Sequence, residues 1–171
     1  GARAVGQIPI CWGPDEAEAT RVAHEQFRWF AGGWKVNADL WSATSFIELA
    51  RDAREAQRHN RLHPDEPQRT SHVAQCLSGA RPVVAATDYV RAVPQLVAEY
   101  VDAPYVTLGT DGFGRSDTRV ALRRFFEVDR HHIALAALHE LVRAGRVEAH
   151  APARAIERWR IAAEAAAPWN I

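Results

Sequence analysis

The sequence lacks methionine altogether and holds a single lysine, Lys35, so its positive charge is almost all arginine. The shortage of lysine points to coding bias rather than to a function. Acidic and basic side chains balance at 21 each, for zero formal charge. The basic excess that marks nucleic-acid binders is therefore absent. No apolar run reaches membrane-spanning length and no signal-peptide pattern is visible, so the expectation is a cytoplasmic protein with no membrane partner. Methionine is missing even from the first position, where the chain reads Gly1-Ala2-Arg3. This leads to the expectation of a chain cut from a longer protein, or one that has lost an initiator or a tag. Cysteine is scarce too: Cys11 lies in a strand-like run, IPICW, and Cys76 in a predicted helix. Two buried free thiols are expected, without a disulfide or a catalytic thiol.

What is present reads as one domain. A length of 171 residues is enough for a sizeable core. Residues 1–7 read as a linker or tag remnant and 162–171 as a tail, Trp169 docked against the body or frayed. Strands are expected at Ile8–Trp12, Ala38–Ala43, Val83–Thr87 and Tyr105–Leu108. Gly13-Pro14-Asp15-Glu16 opens a first helix, and Gly32 and Gly33 stop it. Ser45-Phe46-Ile47-Glu48 fits a capping box for a helix reaching about Asn60. Leu62–Thr70 reads as a loop and Ser71–Leu77 as a short helix. Asp88 is a candidate cap, with Pro94 delaying regular helix to about Val93. TRVALRRFF is helical. Asp129 caps the next helix, Gly145 ends it, and Pro152–Ile161 forms the last. Strands alternating with helices predict an α/β fold: an open, mainly parallel sheet covered on both faces, in three layers.

The most informative segment is LGTDGFGRSD, Leu108–Asp117. Three glycines, Gly109, Gly112 and Gly114, follow a strand and precede a helix. Such glycines let the backbone turn tightly and approach a neighbour closely. Backbone N–H groups at the helix start, with Arg115, could hold a phosphate. The spacing G-x-x-G-x-G is neither the dinucleotide fingerprint nor the Walker loop, so a tight turn packed on a partner is the plainer reading. Asp88, Asp111 and Asp117 all fall near strand ends, where open α/β sheets place ligands. Helix capping explains Asp88 and Asp117, and a turn role explains Asp111. Gly109, Asp111, Gly112, Phe113, Gly114, Arg115 and Asp117 are the candidate interface or loop residues.

Other candidates have plainer explanations. His59 and His63 lie four apart, but Pro64 ends the helix and no further ligand is evident, so no metal site is expected. His131 and His132 read as solvated or capping, and His139 as facing a packed surface. Trp12, Trp29 and Trp41 read as core, whereas Trp34 and Trp159 are interface candidates. No Ser-His-Asp or Cys-His set can be assigned.

The wording LGTDGFGRSDTRVALRRFFEVD closely resembles the C-terminal domain of the homodimeric, thiamine-diphosphate-dependent first component of pyruvate dehydrogenase. SATSFIELARD (Ser42–Asp52), NRLHP (Asn60–Pro64), PVVAATDYV (Pro82–Val90) and IALAALHELVRAGRV (Ile133–Val147) resemble further segments in the same order. The resemblance implies a transketolase C-terminal-like fold with strand order second, first, third, fourth. It also implies an antiparallel edge strand before Ile8, beside Ala38–Ala43. Only seven residues precede Ile8, so that strand is expected to be missing. The chain departs again at Trp12-Gly13-Pro14-Asp15, where the family has a G-S-G-type turn, and at His59, where it has an aromatic residue.

In the family, thiamine diphosphate and magnesium sit in the preceding domains. No G-D-G…N cofactor signature occurs in this sequence; TDGFG lacks the downstream asparagine. The resemblance thus implies a non-catalytic assembly domain or split subunit of an enzyme handling two-carbon units. No cofactor or catalytic residue is expected in this chain, which would be inactive alone. Its implied partners are cofactor-binding domains or subunits of the same enzyme, with self-association in the full assembly. Two alternatives remain open: an interaction module docking a carrier or acyltransferase domain, and a small anionic-ligand domain using Gly109–Arg115.

Overall fold

A computed structural model describes residues 3–7, 37–79 and 81–171. Four strands, β1 (Arg3–Gln7), β2 (Asn37–Leu40), β3 (Val83–Ala86) and β4 (Tyr105–Leu108), form one sheet in the order β2-β1-β3-β4. All three pairings are parallel: Val5 faces both Asp39 and Val83, and Val83 faces Tyr105. Parallel strands need crossovers, and helices supply those described here.

Among the described residues the helices are α1 (Phe46–Leu62), α2 (His72–Cys76), α3 (Ala92–Gln95), α4 (Arg119–Phe125), α5 (Arg130–Arg143) and α6 (Ala151–Trp159). β3 is buried along its whole length. Successive side chains on a strand point to opposite faces. Val83 accordingly packs with Phe46, Ala50 and Ala53 of α1, with Val73 of α2, and with Val97 and Tyr100. Val84 and Ala86 pack instead with Ile133, Ala137 and Leu141 of α5. The sheet is thus covered on both faces, as the alternation of elements predicts.

Several sequence expectations need correction. Arg3–Gln7, expected as linker or tag remnant, is the strand placed between β2 and β3. Pairing is made by backbone N–H and C=O groups, so a segment poor in apolar residues can take a central place. The expected strand Ile8–Trp12, the first helix, Cys11, Trp12, Trp29 and Trp34 lie outside the described residues. The helix expected from about Val93 shrinks to the single turn α3, followed by a 3₁₀ turn at Ala98–Tyr100. Pro94, inside α3, has no N–H to carry a longer helix. Asp88 does not cap that turn; its carboxylate lies 3.5 Å from Arg123. Ser45 does cap α1, accepting from the Glu48 N–H at 3.2 Å, but the Glu48 carboxylate turns to Arg51 rather than back.

On α5 the buried residue is Glu140, not its neighbour His139, which is 64% exposed. The Glu140 carboxylate is met by Arg143 at 3.2 Å and by His139 at 3.2 Å. His131 and His132 are half-buried rather than solvated: His131 stacks on Trp159 at 5.4 Å and His132 pairs with Asp129 at 2.8 Å. Cys76 is a free thiol but exposed. α2 is a single short turn whose buried side is taken by Val73.

Candidate functional site

The segment after β4 divides into a fixed base and an exposed crest. Its base begins at Gly109. A Cβ there would lie 2.6 Å from the Arg91 backbone nitrogen and 2.7 Å from the Tyr89 carbonyl oxygen. Only glycine lets the end of β4 press this closely against the turn after β3. The contact is closed by the Thr110 N–H donating to the Tyr89 carbonyl at 2.9 Å, and by Thr110 Oγ1 donating to the Asp88 carbonyl at 2.8 Å.

Asp111 completes this base. Its Oδ2 accepts from Arg91 Nε at 2.6 Å, and its Oδ1 accepts from the Arg91 backbone N–H at 3.3 Å. The Arg91 guanidinium lies over the Trp169 ring, 4.5 Å from its centroid. Gly112, at φ 112°, is next to the same tail; a Cβ there would lie 2.6 Å from the Pro168 carbonyl oxygen. The tail, a 3₁₀ turn at Pro168–Asn170, is therefore docked on the loop with Pro168 buried. The sequence reading placed Asp111 in a turn but had no way to name Arg91 or Trp169 as its company.

From Gly112 to Val120 every residue is exposed, with Phe113 at 83% and Val120 at 79%. Arg115 is exposed and lies over the Phe125 ring at 4.1 Å from the centroid. Asp117 is not the cap of α4. Thr118 is, its hydroxyl accepting from the Ala121 N–H at 3.3 Å, while Asp117 Oδ1 accepts from the Thr118 N–H at 2.7 Å. Between crest and α4 runs a cleft of about 530 Å³. Its polar lining combines Arg115, Arg119 and Arg123 with Asp88 and Asp117, over an apolar floor that includes Phe126. All the candidate residues thus belong to one continuous feature. Gly109 and Asp111 sit in its base, Gly112 at the junction, and Phe113, Gly114, Arg115 and Asp117 on its crest.

That arrangement can bind and orient; it brings no nucleophile beside a base. A family model described as the transketolase-like TK C-terminal domain matches residues 19–129. The chain belongs to this family. Curated relatives of this transketolase-like C-terminal domain are named pyruvate dehydrogenase E1 component. The Cupriavidus necator protein is 51% identical over 129 residues, the Mycolicibacterium smegmatis protein 47% over 132, and the Escherichia coli protein 43% over 149. These matches cover 75%, 77% and 86% of this chain but only 14%, 14% and 17% of the relatives. The chain thus spans between 14% and 17% of the length of these curated relatives.

Proposed function

We propose that this domain is the non-catalytic assembly part of a thiamine-diphosphate-dependent enzyme of the pyruvate dehydrogenase and transketolase kind. It works in the cytoplasm, either within one polypeptide or as a separate subunit. The cofactor and magnesium belong to partner domains, and the crest Gly112–Asp117 is the surface that meets them. The observation that carries this reading is the split in the loop. Its base is consumed by Arg91, Trp169 and Pro168 of the same chain, whereas its crest leaves Phe113 and Arg115 exposed. Aromatic residues and arginine are residue types that interfaces favour. Self-association fits the same picture, because among the described residues β2 lies at an edge of the sheet.

The test is a calorimetric titration of thiamine diphosphate with magnesium into the isolated chain. No binding is expected. A micromolar dissociation constant, about 8 kcal/mol, would overturn the non-catalytic reading. A second reading, a small anionic-ligand domain, draws on the three arginines that line the cleft. It requires a ligand-dependent rise in melting temperature with phosphate or carboxylate compounds, abolished by Arg119→Ala.

A further inference from the structure

Far along the chain from this loop, the end of α1 gathers two imidazoles and a carboxylate. His63 is the C-cap of α1, its N–H bonding the His59 carbonyl at 2.9 Å. The helical turn therefore persists past His59, and the two rings stack with centroids 4.4 Å apart and 22° between planes. In the sequence alone Pro64 ends the helix and no third ligand is evident. The structure supplies one by folding the loop back. The Glu66 N–H donates to the His63 carbonyl at 3.1 Å. Asn60 closes the loop on Arg69: its Nδ2 donates to the Arg69 carbonyl at 2.9 Å, and its Oδ1 accepts from the Arg69 N–H at 2.8 Å. Glu66 Oε2 ends 3.2 Å from His59 Nε2.

We propose that His59, His63 and Glu66 bind one divalent transition-metal ion of the zinc class, with a further coordination position open to water or an outside ligand. One ligand atom from each residue lies within 4.8 Å of the others. His63 Nδ1 lies 3.2 Å from the His59 carbonyl oxygen. A carbonyl can only accept, so Nδ1 donates, and in the neutral ring the lone pair is on Nε2. This is the backbone support that orients metal-binding histidines. His59 Nδ1 is buried with no hydrogen-bond partner among the described residues, so Nε2 is the atom through which that ring can act. Tetrahedral zinc donors at about 2.0–2.1 Å from the metal sit roughly 3.3 Å apart. The separation of His59 Nε2 and Glu66 Oε2, 3.2 Å, already meets that distance. Glu66 is exposed, so its side chain can move to close the remaining gap while the His63 ring keeps its backbone support. Two imidazoles select zinc, nickel or copper over magnesium and calcium, which take oxygen ligands. Three protein ligands is also the number that leaves a zinc site open.

The test is calorimetric titration of zinc chloride into the metal-stripped full chain in a non-coordinating buffer. A competing pair must be separated, since Cys76 Sγ lies 3.4 Å from His72 Nε2. One saturable ion per chain is expected, at least tenfold weaker in Glu66→Gln and in His63→Gln and unchanged in Cys76→Ser. Both ligand substitutions replace exposed side chains, and an unchanged melting temperature without metal shows that each variant is folded. The proposal is overturned by absence of saturable binding, by binding that survives both ligand substitutions, or by binding lost in Cys76→Ser.

Discussion

Gly109 and Gly114 differ in what surrounds them, although the sequence presents them alike. A methyl group at Gly109 meets backbone atoms at 2.6 Å and 2.7 Å, and backbone cannot rotate away. At Gly114 nothing lies within 4 Å. Gly109→Ala is expected to cost about 1–3 kcal/mol, the usual range for overpacking. Gly112→Ala combines a 2.6 Å clash with a positive φ, so its cost lies at the upper end or beyond. Gly114→Ala is expected to stay within about 0.5 kcal/mol. Urea unfolding of the three variants checks this order, and equal costs for Gly109 and Gly114 would contradict the packing described. The two arginines divide in the same way. Arg91→Ala removes the Asp111 pair and the Trp169 contact, and so loosens the isolated domain. Arg115→Ala removes one stacking contact on Phe125, about 0.5–1 kcal/mol at an exposed site, yet weakens association in the reconstituted enzyme. Unchanged association, together with a strongly destabilised isolated domain, would make Arg115 an internal structural residue. For the cysteines, thiol counting on denatured, unreduced protein is expected to find both Cys11 and Cys76 free; none would refute this.

At the scale of the element, the start of α5 carries two groups whose titration is shifted, Asp129 and His131. Asp129 Oδ1 accepts from the His131 and His132 N–H groups at 2.9 Å and 3.0 Å. Burial pushes the Asp129 carboxyl up, but the bonds from His132 outweigh it and hold it below its ordinary value of 3.8. Burial against Trp159, with nearby cations, pulls His131 below its ordinary 6.5. Both groups bind fewer protons in the folded state, so stability rises with pH in both windows. Acidification should therefore weaken the domain first below 6.5, from His131, and again below 3.8, from Asp129. Urea midpoints measured against pH check the sign, and His131→Phe should remove the first step. At the other end, Gly145 at φ 65° bonds Val142, and Arg146 bonds Leu141, closing a Schellman motif. Such ends were legible because their chemistry is local: Ser45, Asp129 and Gly145 each do what their neighbours in sequence imply. Asp88 and Asp111 were not, since their partners Arg123 and Arg91 come from distant segments. Glu140 was missed because its burial breaks the apolar pattern, and Arg143 and His139, which meet its carboxylate, carry no apolar signal.

For the whole molecule, alternation of strands and helices was enough to announce a covered parallel sheet, and residue wording was enough to announce the family. The strand at Arg3–Gln7 was not legible, because pairing uses backbone groups that nearly every residue carries. Docking of the tail was one of the two outcomes expected, but its partner was not legible: Trp169 meets Arg91, a residue from a distant segment. The two cores meet on β3, so the sheet, the α1 layer and the α5 layer are expected to unfold together. The crest stands outside that unit, where assembly can use it without disturbing the fold. The most direct measurement mixes this chain with the cofactor-binding domains of a pyruvate dehydrogenase E1-type protein made without its C-terminal part, and reads the mass by light scattering. A stable complex containing both is expected, weakened by Arg115→Ala. Two species that remain separate at every ratio would contradict the assembly role.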